Sequence, residues 1–167
     1  MEIKTKEKGF LIREAERKDV PLVLSFIRKM GEYEKLSHEV VASEELLERY
    51  LFGDRRFAEV ILGYYNEVPV GFALYFFNFS TFLSRPGIYL EDIFVLEEYR
   101  RMGFGKVMLS YLAKTAVERE CGRLEWVVLD WNEPSIKFYK SLGAKLMNEW
   151  IITRMTGPSL KELADQF

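Results

Sequence analysis

Thiol and imidazole are nearly missing from this chain: its 167 residues include one cysteine, Cys121, and one histidine, His38. A disulfide framework and a zinc cluster are both out of reach within one copy, so no metal is expected and Cys121 reads as a reduced, half-buried thiol. An excess of charge is lacking too. Lysine and arginine total 24 against 26 aspartates and glutamates, a net charge of −2 with the signs interspersed, which leaves no basic face for a phosphate backbone. Nucleic acid is not an expected partner. No apolar run approaches the ~20 residues of a membrane span, and Met1 to Phe10 alternates charged with small apolar groups. These absences predict a soluble, cytoplasmic protein with no membrane partner.

What is present is the material of a core. Apolar residues make up 49% of the chain, ample for one core at this length, and no linker, repeat or low-complexity stretch divides it. One domain over 1–167 is expected, with residues 1–9 as a flexible N-terminal extension. Phe10 to Glu14 reads as an opening strand. Asp19 as N-cap and Pro21 in the first turn start a helix to about Gly31, with Leu22, Phe26 and Met30 on its buried stripe. Ser43 caps a second helix that carries Glu44 and Glu45 in its first turn and ends near Gly53. Phe57 to Tyr64, Val68 to Phe79 and Ile88 to Val95 then read as an antiparallel meander, the gap from Asn66 to Val68 being hairpin-sized.

The period changes after Glu98-Tyr99. Leu109, Leu112, Ala113 and Ala116 recur at helical spacing until Gly122, and Leu124 to Leu129 returns to strand. Such a strand, turn, helix and strand favour parallel neighbours. Asn132 and Pro134 open a further helix carrying Ile136, Phe138, Tyr139 and Leu142 and stopping at Gly143. Trp150 to Met155 reads as a last strand, and Ser159 to Phe167 as an amphipathic tail helix. The fold class is therefore α/β (α+β), a mixed sheet flanked by helices.

Arg100-Arg101-Met102-Gly103-Phe104-Gly105-Lys106 joins strand to helix, and its two glycines let the backbone turn so that free N–H groups converge on an anion. No third glycine follows at Rossmann spacing, and Val107 stands where a P-loop has Ser or Thr. A glycine turn that merely opens a core helix accounts for the same residues equally well. The context decides: Tyr89-Leu90-Glu91-Asp92 precedes the turn with Glu98-Tyr99-Arg100, and Trp131-Asn132-Glu133-Pro134-Ser135-Ile136-Lys137-Phe138-Tyr139-Lys140 follows about thirty residues later.

On these residues the chain resembles the GNAT superfamily of N-acetyltransferases from its first strand to its last, with Arg100-x-x-Gly103-x-Gly105 matching the pyrophosphate-binding motif. The likeness is greatest to the diamine enzymes, the spermidine/spermine and thialysine acetyltransferases. It implies a sheet of six to seven strands, splayed between the fourth and fifth, and acetyl-CoA as co-substrate. Ile93, Phe94 and Val95 would pair with the pantetheine arm and polarise the thioester carbonyl, which is worth several kcal/mol for a well-placed donor. Arg100, Arg101, Met102, Gly103, Phe104, Gly105 and Lys106 would hold the pyrophosphate. Asn132, Pro134, Ser135, Phe138 and Tyr139 would complete the coenzyme site.

Acetylating an amine needs a base, because an alkylammonium ion has no lone pair, and an acid, because a protonated thiol leaves more easily. The resemblance assigns the acid to Tyr139, a neutral donor at pH 7 with a free pKa of ~10. Helical position alone would make Tyr139 a packing partner of Phe138. Glu91 is the expected base, directly or through water. Adjacent strand residues face opposite sides unless a bulge intervenes, so Asp92 is expected to serve structure. Tyr33, Glu34, Glu91, Glu125, Trp126, Val127 and Glu149 fall where the diamine enzymes line their acceptor site, although the link through Lys145 to Asn148 is shorter here. The expected function is acetyl transfer to a primary amine of a small cationic acceptor, in a ternary complex, by a homodimer. Another acceptor, such as an amino acid, antibiotic or protein amine, or a non-catalytic acyl-CoA-binding module, would retain the same glycine turn.

Overall fold

Alternation of apolar and polar residues dictates a sheet, and the turns between its strands dictate the order. The computed structural model describes residues 2–167. Contacts divide the chain into two compact units, Met1–Val127 and Val128–Phe167. The first contains β1 (Glu2–Lys4), β2 (Phe10–Glu14), α1 (Val20–Tyr33), α2 (Glu44–Phe52), β3 (Glu59–Tyr65), β4 (Val68–Ser80), β5 (Arg85–Val95), α3 (Phe104–Glu118) and β6 (Leu124–Trp126). The six strands lie in sequence order, antiparallel throughout except that β5 and β6 are parallel. Among the described residues no helix is long and apolar enough to cross a membrane.

Local chemistry explains most boundaries. Asn66 and Glu67 both take positive φ, 47° and 68°, the two-residue turn whose twist matches the flanking strands β3 and β4. Ser43 Oγ accepts from the Leu46 N–H and so caps α2. Asp19 stands at the start of α1 as expected, but its carboxylate serves elsewhere. It takes both Arg13 Nη groups at 2.8 and 2.9 Å and the Glu16 N–H at 2.7 Å, tying the helix start to β2. Glu2–Lys4, inside the stretch read as an N-terminal extension, pairs with Leu11 to Arg13.

Helices cover both faces of the sheet. Val60, Leu62, Phe72 and Phe94 pack with Val23 and Phe26 of α1 and Leu51 of α2. Full burial stabilises each such side chain by roughly 1.5–3 kcal/mol. On the opposite face Phe104 of α3 stacks on Phe10, ring centres 4.2 Å apart. There a Cβ on Gly63 would stand 3.3 Å from Met108 Sδ and 2.7 Å from the Phe10 ring, so α3 lies close against β3.

Two irregularities shape β5. Leu74 faces Asp92 and Tyr75 faces Leu90, so Glu91 is an extra residue, a β-bulge. Beyond it the alternation is inverted: Asp92 joins Leu74, Phe72 and Phe94 on the α1 face, whereas Leu90 joins Tyr75 on the α3 face. The second irregularity is a splay. β6 pairs only Leu124 to Trp126 with Ile88 to Leu90, so β5 runs on to Val95 without a sheet neighbour on that side. Counted from Phe10–Glu14, β5 and β6 are the fourth and fifth strands, whose divergence is expected; their pairing ends sooner because strand geometry stops at Trp126 and not Leu129.

The second unit holds α4 (Glu133–Ser141) and α5 (Gly157–Ala164). Asn132 Oδ1 accepts from the Ser135 N–H and Pro134 occupies the first turn of α4, as the sequence reading required. The last strand expected over Trp150 to Met155 does not form. Trp150, Ile151, Ile152 and Met155 are exposed, and Val128–Phe167 contains no strand to offer them a ladder. A β-rich run becomes a strand only where a neighbour accepts its backbone groups.

Candidate active site

The bulge gathers acids. Glu91, the extra residue, is exposed, and Asp92 is turned inward on the α1 face. Burial pushes the Asp92 carboxyl up to about 7, and the like charges of Glu91 and then Glu34 add to the rise. No basic side chain pairs with Asp92 among the described residues. Glu34 follows the last residue of α1 and is itself raised by desolvation. A half-buried carboxylate without a counter-charge is a site for a cation or a proton. Strict alternation gives Asp92 to structure; the register of β4 on β5 shows that the bulge turns it to the α1 face, where the charge of Glu34 also acts on it.

Tyr33 and Arg100 also meet here. The Arg100 guanidinium carbon lies 3.9 Å above the Tyr33 ring centre and 5.5 Å from that of Phe94, while its Nε donates to the Val95 carbonyl at 3.0 Å. Three of the expected site residues, Tyr33, Phe94 and Val95, are thus bound by a fourth. Aromatic and basic residues distant in sequence give no local signal of such a stack.

From Arg101 to Gly105 the chain forms a left-handed turn into α3. Arg101 has φ 65° and Gly103, at the helix N-cap, φ 84°. A Cβ on Gly105 would meet only Val95 Cγ2, at 4.0 Å, so backbone N–H groups can be approached closely. These features fit a pyrophosphate at the helix N-terminus, with Arg101, Met102 and Lys106 exposed beside it. Gly103→Ala should cost about 1 kcal/mol from its left-handed backbone, seen as a lower Tm, and should weaken acetyl-CoA in a calorimetric titration. A replacement with neither effect would show that the turn needs no glycine.

Other expected residues are placed less uniformly. Glu125 accepts from Asn78 Nδ2 at 3.0 Å and stands 2.8 Å from Arg123 Nε, so its charge is already matched within the sheet. Trp126 ends β6 opposite Leu90, and Val127 beyond it is exposed. In the second unit Asn132 is buried at the cap of α4, with Ser135 partly covered on its first turn. Tyr139 is buried on α4, its ring 5.3 Å from that of Phe138. Glu149 lies exposed in the segment after α4.

The sequence profile described as the Acetyltransferase (GNAT) family matches residues 27–144. A thialysine N-epsilon-acetyltransferase of Bos taurus is 39% identical over 165 residues, covering 92% of this chain and 96% of that protein. The L-ornithine N5-acetyltransferase of Arabidopsis thaliana is 34% identical, covering 91% and 86%. Among solved structures, an integron cassette protein from the mobile metagenome of V. cholerae superposes with a TM-score of 0.78 at 30% identity, over 93% of this chain and 98% of that one.

Proposed function

The chain belongs to the GNAT acetyltransferase family and is an N-acetyltransferase, and from that premise we propose that it acetylates a primary amine of a small cationic acceptor of polyamine, ornithine or thialysine type. The observation that carries the acceptor class is the carboxylate group at the bulge, where Asp92 is half-buried beside Glu91 and Glu34 with no counter-charge. An alkylammonium supplies that charge, and a second cationic centre is attracted by the remaining acids. Thialysine and L-ornithine, for which two of the relatives are named, are such amines.

GNAT acetyltransferases use acetyl-CoA, which supplies the acetyl group as a thioester. The turn from Arg100 to Lys106 would hold its pyrophosphate, and Asn132, Pro134, Ser135 and Phe138 its arm. Ile93 to Val95, along the edge of β5 that β6 leaves free, would offer N–H groups to the carbonyl oxygen in a site where fixed dipoles need no reorganisation. A carboxylate at the bulge would take a proton from the ammonium so that its nitrogen can attack the thioester carbonyl; the C–N bond forms as the C–S bond breaks, Tyr139 Oη would donate a proton to the departing thiolate, and the second proton shed by the nitrogen would restore the phenol. No covalent enzyme intermediate is needed. Glu91 takes the proton in this reading, directly or through water. A second assignment, Asp92, is favoured by its burial and its raised carboxyl.

We extend the proposal to a homodimer on the same resemblance. The acceptor is tested by thiol release from acetyl-CoA with spermidine, putrescine, ornithine, lysine, thialysine and a lysine peptide. Small diamines and lysine-like amines should be turned over and the peptide should not. Release with the peptide alone, or with none, sinks the acceptor class.

A further inference from the structure

We infer that Glu7, in the turn between β1 and β2, sets the affinity of the coenzyme site: its carboxylate stands at the N-terminus of α3, where the diphosphate of acetyl-CoA would bind, and opposes that ligand by like charge. The inference rests on the coenzyme reading of the glycine turn given above and is independent of the acceptor.

A close approach carries it. A Cβ on Gly103, the N-cap of α3, would stand 3.6 Å from Glu7 Oε1 and 3.8 Å from Glu7 Cδ, and beyond the adjoining residues nothing else would lie within 4 Å of it. Glu7 is exposed, and among the described residues its carboxylate has neither an ion-pair partner nor a hydrogen-bond donor. The positive end of the helix thus has beside it a full negative charge that no side chain neutralises. An anion arriving at the same N–H groups meets that charge at short range.

The carboxylate is carried on a fixed turn. Thr5 Oγ1 donates to the Phe10 carbonyl at 2.7 Å and accepts from the Glu7 N–H at 3.3 Å, while the Phe10 N–H donates to the Glu7 carbonyl at 3.1 Å. Gly9, at φ 78°, accepts from the Asn66 N–H at 2.9 Å, which joins this turn to the one between β3 and β4. The neighbouring Tyr65 ring lies 5.0 Å from that of Phe104, the first residue of α3, and Phe104 stacks on Phe10 at 4.2 Å. Both turns and the helix start therefore form one packed corner, and the pairing of Glu2–Lys4 with β2 gives the N-terminal strand a place beside the coenzyme site. A coenzyme held less tightly is also released sooner, because CoA leaves with the same diphosphate.

Glu7→Gln, Glu7→Lys and Glu7→Asp are compared with wild type in the full chain by calorimetric titration of acetyl-CoA, at about 20 mM and about 1 M salt. At low salt Glu7→Gln should lower the Kd by about fivefold and Glu7→Lys, which changes the charge by twice as much, by about 25-fold, with Glu7→Asp within about twofold of wild type. At the higher salt, where the screening length is only ~3 Å, the differences should collapse. A Kd unmoved or raised in both Glu7→Gln and Glu7→Lys would overturn the inference, and so would a tightening that persists at high salt. If the wild type binds no acetyl-CoA, the coenzyme reading fails separately. Inorganic pyrophosphate then serves as the probe, followed through the amide NMR signals of residues 103–106: tighter binding by Glu7→Lys at low salt supports the inference, and equal or no binding overturns it.

Discussion

Tyr139→Phe should lower kcat by about 100-fold or more while leaving the acetyl-CoA Kd within about threefold, because a positioned acid contributes to the transition state and little to ground-state binding. Phenylalanine keeps the ring that packs at 5.3 Å from Phe138, so the fold of α4 around it should persist. Tyr139 sits in the last turns of α4, a helix started by the Asn132 cap and by Pro134, and its burial suits a neutral phenol that must give up a proton only as the thiolate forms. Circular dichroism and Tm check the fold, and single-turnover kinetics separate chemistry from product release. A kcat within about threefold of wild type would return Tyr139 to the packing role that helical position alone suggests.

The elements whose causes are local were legible in the sequence. Ser43 and Asn132 cap where short polar side chains before an apolar period should cap, and Asn66-Glu67 turns β3 into β4. What the sequence withheld depends on neighbours. Glu2–Lys4 is a strand because β2 offers an edge, whereas Trp150 to Met155, richer in β-branched and aromatic residues, is not one. At the site, the glycine turn and the acid pair were visible as residue types. A bulge could be anticipated there only as a condition, because one inserted residue leaves no mark on composition. Its consequence is large, since it inverts the alternation and sends Asp92 to the face of Phe72 and Phe94. The stack of Arg100 on Tyr33 joins residues far apart in the chain and had no sequence signal at all.

Asp92 should accordingly be the costliest and most consequential carboxyl in the molecule. Its folded value near 7 stands above the ordinary 3.8, so the native state holds a proton that the unfolded chain has released. Stability from this group is full below about pH 4 and is lost as pH rises through 7, at roughly 1.4 kcal/mol per pH unit over the window. Discounted for partial exposure, the total is on the order of 3 kcal/mol. Asp92→Asn keeps the shape and cannot ionise, so urea unfolding should show it more stable than wild type at pH 8 and near parity at pH 4. Activity should move the other way. If Asp92 is the base, kcat/KM of the wild type falls below about pH 7, the limb for kcat lies lower because a bound ammonium favours the carboxylate, and Asp92→Asn loses at least about 100-fold in kcat/KM together with its limb. Glu91→Gln removes the larger of the two like charges acting on Asp92, so the limb should persist at a lower pH. The converse, a limb abolished in Glu91→Gln and kept in Asp92→Asn, would restore Glu91 as the proton acceptor and leave Asp92 as the charge that holds the ammonium.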